Sequence, residues 1–312
     1  MGDKTGIEWT DATWNPVTGC AKVSKGCKNC YAEREWPRMT RLVPSYAGRD
    51  FTDVRCHPER IDQPLRWKKP RKIFVNSMSD LFHPDVPFEF IDEVFAVMTF
   101  SPRHVFQILT KRADRMAEYM RRTPNTEALR RLAPKVRGLP MTENEEVRPW
   151  PRKNIWLGVS VEDQATADER IPLLLRIPAA VRWISAEPLL APVSLDCWPI
   201  FGEDENPMLH WVVVGGESGL KARPMRPEWA RALRDQCAAA GVPFLFKQWG
   251  EWFPTSIGQS GSQIGAWNGD EFMAGWGDIE NPENNMLRAG KRAFGGRLLD
   301  GLQHDGYPES ES

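Results

Sequence analysis

Histidine, tyrosine and cysteine are scarce in this chain, with five, four and six copies among 312 residues. Long apolar runs are missing altogether. No stretch approaches the roughly 18 consecutive apolar residues of a membrane span. The opening Met1-Gly-Asp-Lys-Thr-Gly-Ile-Glu8 lacks the basic-then-apolar layout of a secretory signal, so a cytoplasmic protein with no membrane partner is expected. His83, His104 and His210 stand isolated from any Ser or Cys nucleophile pattern and read as structural. Neither GxGxxG nor a Walker lysine is present, which weakens a phosphate-loop reading of Gly215-Gly216-Glu217-Ser218-Gly219; a tight strand-to-loop turn accounts for those glycines equally well. Net charge is nearly absent too, at −1, but it is unevenly spread. Residues 1–150 carry 26 Lys+Arg against 20 Asp+Glu, and residues 151–312 carry 15 against 22. The basic half suits a polyanionic partner, and a merely polarised surface explains it as well.

The scarce cysteines are concentrated. Cys20, Cys27 and Cys30 fall within eleven residues in the pattern Cys-x6-Cys-x2-Cys, while Cys56, Cys197 and Cys237 are scattered. In a reducing compartment such clustering points to metal ligands rather than disulfides. A structural zinc normally takes four protein ligands, whereas an iron–sulfur cluster can be held by three thiolates and keep one iron open. The zinc alternative would need Cys56 or His57 as the fourth ligand and would make the chain a binding scaffold.

Content that is 41% hydrophobic and 27% charged describes an ordinary globular chain with a sizeable core. Six segments have apolar bodies and polar ends: Ile73–Asp80, Val105–Arg112, Ile155–Glu162, Val181–Glu187, Trp211–Ser218 and Phe244–Gly250. Most starts lie roughly 30 residues apart, the length of a βαβ unit. Helices are expected over 31–41, 88–99, 114–122, 166–175 and 227–240, the last with Pro227 in its first turn and Gly241 as its stop. The pattern predicts an α/β fold, a partial or complete (β/α) TIM-type barrel of parallel strands, with the doubly wound sheet as the alternative. A barrel over 1–253 with a rim insertion at 123–152, and a C-terminal extension over 254–312 packed on the core, completes the expected organisation. Gly, Ser, Asn and Asp enrich 254–285, which predicts loops or a poorly ordered tail segment there.

In a barrel of this kind the chemistry sits at the C-terminal strand ends. Asp80, Glu162, Glu187 and Glu217 each end a different strand, and Lys111, Arg112 and Lys247 add positive charge to the same rim. Period-two alternation places Gly158, Ser160 and Glu162 on one face of their strand, and Ser185 and Glu187 on one face of theirs. Mixed charge on a rim suits a zwitterionic ligand. Any single member of the set can equally be a rim ion pair.

Trp14-Asn15-Pro16, the cysteine loop, Asn76–Phe82, Leu109–Arg112, Gly158–Glu162, Ser185–Leu189, Gly215–Gly219 and Lys247–Gly250 together resemble a radical-SAM-like family found widely in phage and prophage genomes. The loop itself resembles that of the radical S-adenosylmethionine superfamily. The resemblance implies that Cys20, Cys27 and Cys30 hold a 4Fe–4S cluster whose open iron takes the amino and carboxylate groups of S-adenosylmethionine. Reduction by a donor such as flavodoxin or ferredoxin then yields a 5′-deoxyadenosyl radical. DNA or a nucleotide is the substrate class it suggests, in modification or repair. The cofactor-binding set is Ser79, Asp80, Ser160, Glu162, Glu187 and Glu217. Two departures stand out: the superfamily's first spacing is x3 rather than x6, and its second-strand Gly-Gly-Glu is replaced here by Ser77-Met78-Ser79-Asp80.

Overall fold

The computed structural model describes residues 5–122, 150–198, 208–255, 263–268, 270–275, 277–278, 284–288 and 296–308. The expected rim insertion therefore lies outside the described residues, apart from 150–152. The chain forms two compact units. Unit one comprises Met1–Val23, Ala32–Val159 and Arg170–Trp183, and unit two comprises Ser24–Tyr31, Ser160–Glu169 and Ile184–Ser312.

The elements of the first half are β1 (Ala12–Trp14), β2 (Val17–Thr18), α1 (Tyr31–Leu42), β3 (Arg55–Cys56), β4 (Lys72–Val75), α2 (Phe88–Thr99), β5 (Val105–Thr110), α3 (Ala113–Arg121) and β6 (Ile155–Ser160). They are followed by α4 (Gln164–Leu175), β7 (Val181–Ala186), β8 (Trp211–Gly215), α5 (Pro227–Ala239) and β9 (Phe244–Gln248). One seven-stranded sheet takes its strands in the order β1-β4-β5-β6-β7-β8-β9. The pairs β1–β4, β4–β5, β5–β6 and β8–β9 are parallel. A strand order that never reverses is that of a partial (β/α) barrel and excludes the doubly wound alternative, whose order turns back at a switch point.

All six strand expectations hold, and each strand ends before its polar tail is complete, one to three residues short for β5 to β9 and five short for β4. β4, β5, β6, β8 and β9 are mostly buried hydrophobic runs because strands covered on both faces need no polar side. The helix over 88–99 has the expected bounds. Pro87 precedes it in extended conformation, and Phe90, Ile91, Val94, Phe95, Val97 and Met98 are buried along it. Likewise α5 starts at Pro227 and is stopped before Gly241, whose φ of +63° is the left-handed conformation that glycine adopts without strain.

Unit one packs its core around indoles. Trp9 meets Trp183 edge-on at 5.3 Å and Phe74 at 4.8 Å. Gly158 lies under Trp183: a Cβ there would sit 2.5 Å from Cε2. The glycine of Gly158-x-Ser160-x-Glu162 is thus a packing requirement, not room for a ligand.

In unit two the region 254–285, expected to be loops, instead supplies strands. β10 (Trp252–Pro254), β11 (Ile264–Asn268), β12 (Glu271–Ala274) and β13 (Asn285–Arg288) form an antiparallel sheet in the order β10-β13-β11-β12. Trp252, Met286 and Ala222 are buried at its base, with Trp267 and Phe272 packed against them. A final hairpin, β14 (Leu298–Leu299) with β15 (Leu302–Gln303), leads into residues that pair with β9. Phe246 N donates to His304 O at 3.0 Å and Gly306 N to Phe244 O at 2.9 Å. Tyr307 stacks on Trp211 at 5.0 Å.

Candidate functional site

Within unit one, Cys20 follows β2. Its N–H donates to Phe51 O at 2.8 Å, and Gly19 N donates to Met78 O at 3.2 Å, so the turn into the cysteine loop is pinned by backbone bonds. Gly19 itself has φ +90°, a conformation only glycine accepts readily. Asp80, five residues past β4, is buried and saturated. Its Oδ1 accepts from Thr110 Oγ1 at 2.7 Å and Phe82 N at 3.0 Å, and its Oδ2 accepts from Lys111 N at 3.2 Å and Arg112 Nη1 at 2.9 Å. Arg112 carries this fixed charge to the loop, with Nη1 donating to Cys20 Sγ at 3.6 Å and Nη2 to Ala21 O at 3.0 Å. Burial works against the guanidinium charge, but Asp80 and the Cys20 sulfur outweigh it and hold the Arg112 pKa above its ordinary value. Ser79 is engaged as well: its Oγ donates to Val17 O at 2.8 Å.

Within unit two, the segment Ser24–Tyr31 carries Cys27 and Cys30. Two buried carboxylates hold it. Glu162, fully buried past β6, accepts from Ser24 Oγ at 2.9 Å, and the same hydroxyl lies 3.7 Å from Cys27 Sγ. Gly26 sits directly on Glu162, so that a Cβ there would fall 2.6 Å from Oε1. Glu217, past β8, takes Asn29 Nδ2 at 2.9 Å, Arg223 N at 2.8 Å and Arg223 Nε at 3.0 Å on Oε2, and Arg223 Nη2 at 2.6 Å on Oε1. Arg223 Nη2 also donates to Lys25 O at 3.0 Å. Burial pulls the Glu217 pKa upward, yet the bonds from Arg223 and Asn29 more than offset this and hold the carboxyl below its ordinary value.

Glu187 differs from these three. Its Oε1 pairs with Lys247 Nζ at 3.0 Å and its Oε2 accepts from Ser185 Oγ at 3.1 Å, while the side chains of Glu187 and Lys247 remain 15% and 21% exposed. It rests on Gly215, where β8 and β9 shift register, because a Cβ would occupy the space of its carboxylate. Ser160 Oγ donates to Glu187 O at 3.0 Å and supports the same strand end. Gly216 abuts the carbonyl of Trp249, so the Gly-Gly pair serves close packing rather than phosphate binding.

None of the six cysteines is in a disulfide. Burial pushes the Cys56 thiol up to about 11, with Glu93 adding to it, and burial alone pushes Cys237 up to about 12, so both are inert thiols. His57, the other proposed fourth zinc ligand, has both ring nitrogens engaged, Nε2 with Thr18 Oγ1 at 2.8 Å and Nδ1 with Glu59 Oε1 at 2.9 Å. Cys20, Cys27 and Cys30 are half-buried. Among the described residues, no group of three or more His, Cys, Asp or Glu side chains is gathered to hold a metal ion. The loop's three half-buried thiols are the type of donor that an iron–sulfur cluster takes, and Arg112 Nη1 lies 3.6 Å from the first of them. Sequence reasoning placed Asp80, Glu162, Glu187 and Glu217 at strand ends and missed Ser24, Asn29 and Arg223, which hold the cysteine-bearing segment. Only Asn29, inside Cys-x2-Cys, carried a local signal.

Among the described residues no helix is long and apolar enough to cross a membrane. A match to the family described as protein of unknown function (DUF5131) covers residues 4–308. No curated protein and no solved structure matches the chain.

Proposed function

The chain belongs to the DUF5131 family, and we propose that it is a radical S-adenosylmethionine enzyme in which Cys20, Cys27 and Cys30 hold a 4Fe–4S cluster. The observation that carries this reading is the investment of three buried strand-end carboxylates in the cysteine-bearing segments: Asp80 through Arg112, Glu162 through Ser24, and Glu217 through Asn29 and Arg223. When bound, the cluster and S-adenosylmethionine supply reductive cleavage of the sulfonium and hydrogen abstraction, chemistry that side chains cannot provide.

The chain's own residues bind and orient. Asp80, Ser79, Glu162 and Glu217 are positioning residues, because their oxygens are engaged in holding backbone and cysteine segments. Glu187 and Lys247 are the half-exposed carboxylate and ammonium of the set. In exchange for their mutual pair, Glu187 would accept from the amino group and Lys247 would donate to the carboxylate of a methionine moiety, contacts that iron ligation of the same two groups still allows. Ser185 orients Glu187 for that exchange, and Ser160 fixes the backbone that carries it. The substrate class is a nucleic acid or nucleotide, supported by the basic first half of the sequence, and the electron donor is a flavodoxin or ferredoxin.

Anaerobic reconstitution followed by metal, sulfide and product analysis tests the proposal. Iron and sulfide in equal amounts, with release of 5′-deoxyadenosine from S-adenosylmethionine, are expected, and Cys27→Ala should abolish the release. A colourless protein with stoichiometric zinc and no sulfide would refute the proposal in favour of a zinc-stabilised binding protein.

A further inference from the structure

We propose that the edge of unit one at which β4, β5 and β6 begin is a docking surface for the phosphate backbone of a nucleic-acid duplex. It gives the nucleic-acid part of the reading above a surface, and it does not depend on the cluster. Residues 66–72 read Arg-Trp-Lys-Lys-Pro-Arg-Lys, five cations in seven positions with no acid among them, and they lead directly into β4. The parallel sheet gathers further cations beside them. Val105 N donates to Arg71 O at 2.9 Å and Phe106 N to Asn154 O at 2.8 Å, so Arg103, just ahead of β5, and Lys153, just ahead of β6, stand on the same edge. Arg103 is fixed there, its Nη2 donating to Leu65 O at 3.0 Å. Neighbouring strands lie about 4.8 Å apart, so the three strand starts spread the charge over roughly 10 Å. Asp80 and Arg112 lie past the opposite ends of β4 and β5, and the edge shares no residue with the candidate site.

Lys68, Lys69, Arg103 and Lys153 are exposed, and Arg71 and Lys72 are half-buried. Two carboxylates near them are engaged within the edge: Asp62 pairs with Arg66 at 2.7 Å, and Asp11 Oδ2 accepts from the Lys72 backbone N–H at 2.7 Å. Lys68 and Lys69 form no ion pair among the described residues. Clustered like charges repel and destabilise the folded state, and a bound polyanion relieves that repulsion. Trp67 is not a stacking platform, because the Arg71 guanidinium lies over its ring at 4.9 Å and His104 meets it edge-on at 6.1 Å. The edge thus offers contacts to phosphates and none that read bases. That favours a duplex, whose phosphates are held in place, over a single strand that draws its affinity from base stacking. An anionic membrane calls for apolar anchors beside the cations, and no large hydrophobic side chain is exposed at 66–72, 103 or 152–153.

The test is fluorescence anisotropy of a short labelled DNA duplex titrated with the full chain at several salt concentrations. Binding with a steep salt dependence, equal for two unrelated sequences, is expected. Lys68→Gln/Lys69→Gln/Arg103→Gln should weaken it at least tenfold at about 0.1 M salt and reduce the slope of log affinity against log salt by about 2.7, at roughly 0.9 for each lost phosphate contact. Lys68→Gln/Lys69→Gln breaks no ion pair, should reduce the slope by about 1.8, and decides alone if the triple variant fails to fold. Lys28→Gln/Lys221→Gln removes two exposed lysines of unit two and should bind as the parent does. No binding by the parent, an unchanged slope in the double variant, an equal loss in the unit-two control, tighter binding of the single strand, or binding only to phosphatidylserine vesicles would each overturn the assignment. A parent chain lacking iron and sulfide would sink the cluster reading and leave this result standing, whereas absent duplex binding would leave release of 5′-deoxyadenosine untouched.

Discussion

Replacing Glu217 by Gln tests whether the carboxylate clamp governs the cysteine segment. The parent carboxylate accepts four hydrogen bonds, three from Arg223 and one from Asn29, and its side chain is only 4% exposed. With its oxygen at the Oε2 position the amide keeps three of these contacts without the carboxylate charge, and it loses the fourth, where its NH2 faces Arg223 Nη2. Such bonds contribute about 1.5–3 kcal/mol each against about 0.5–1.5 for neutral ones. Removing one partner of a fully buried pair costs about 3–5 kcal/mol, but the Arg223 side chain is 30% exposed and water recovers part of that. We expect a loss of about 2–3 kcal/mol, read as a fall in Tm of roughly 5–10 °C at neutral pH. The pH dependence gives a second reading. Because the folded carboxyl lies below its ordinary 4.5, the stabilisation is fully present above pH 4.5 and is lost as pH falls through the lowered value. The gap between parent and variant should therefore close in acid. A Tm within a degree or so of the parent at pH 7, or a gap that stays constant down to pH 3, would refute the clamp.

Two further expectations concern packing and thiol chemistry. Gly216→Ala places a methyl into the Trp249 carbonyl and should cost more than about 3 kcal/mol in chemical denaturation. By contrast Gly241→Ala, at φ +63° with open space around it, should cost only about 1–2 kcal/mol from backbone strain; equal losses would show that the close approach is not rigid. Iodoacetamide at pH 8 in the metal-free chain should label Cys197 and the half-buried Cys20, Cys27 and Cys30, while sparing Cys237 and Cys56, whose thiols lie at about 12 and about 11. Mass spectrometry of the peptides checks this, and labelling of Cys237 before Cys27 would contradict the burial argument.

Local pattern carried the sheet and the helices because their signals are local. Short, valine-rich apolar runs such as Trp211–Gly215 read as buried strands, and Pro227 with Gly241 brackets α5 by backbone chemistry alone. The sheet built on Trp252, Ile264, Glu271 and Asn285 was illegible for the opposite reason. Its strands are short and rich in turn-forming neighbours, and although β11 pairs with the adjacent β12, β13 pairs with β10 and β11 across intervening segments. At the site, position was legible and occupancy was not. Glu162 and Glu217 lie two residues past their strands and Asp80 five past its own, but whether a carboxylate is open to a ligand depends on donors that spacing cannot locate: Asn29 lies 188 residues from Glu217, and Ser24 lies 138 from Glu162. The same holds for Arg112, which reaches a sulfur 92 residues away. Glu187 kept a half-exposed carboxylate because Gly215 beneath it leaves room and Lys247 beside it balances the charge.

The pairing of residues 304–306 with β9 has a consequence for synthesis. β9 is complete at Gln248, yet its outer edge is satisfied only when His304 and Gly306 arrive to accept and donate at Phe246 and Phe244. During translation that edge stands open while more than fifty further residues are added, and an open edge is the surface on which nascent chains associate wrongly. Unit two is thus vulnerable for as long as the ribosome takes to traverse the β10–β15 region, and a pause there would lengthen the exposure of an otherwise finished strand.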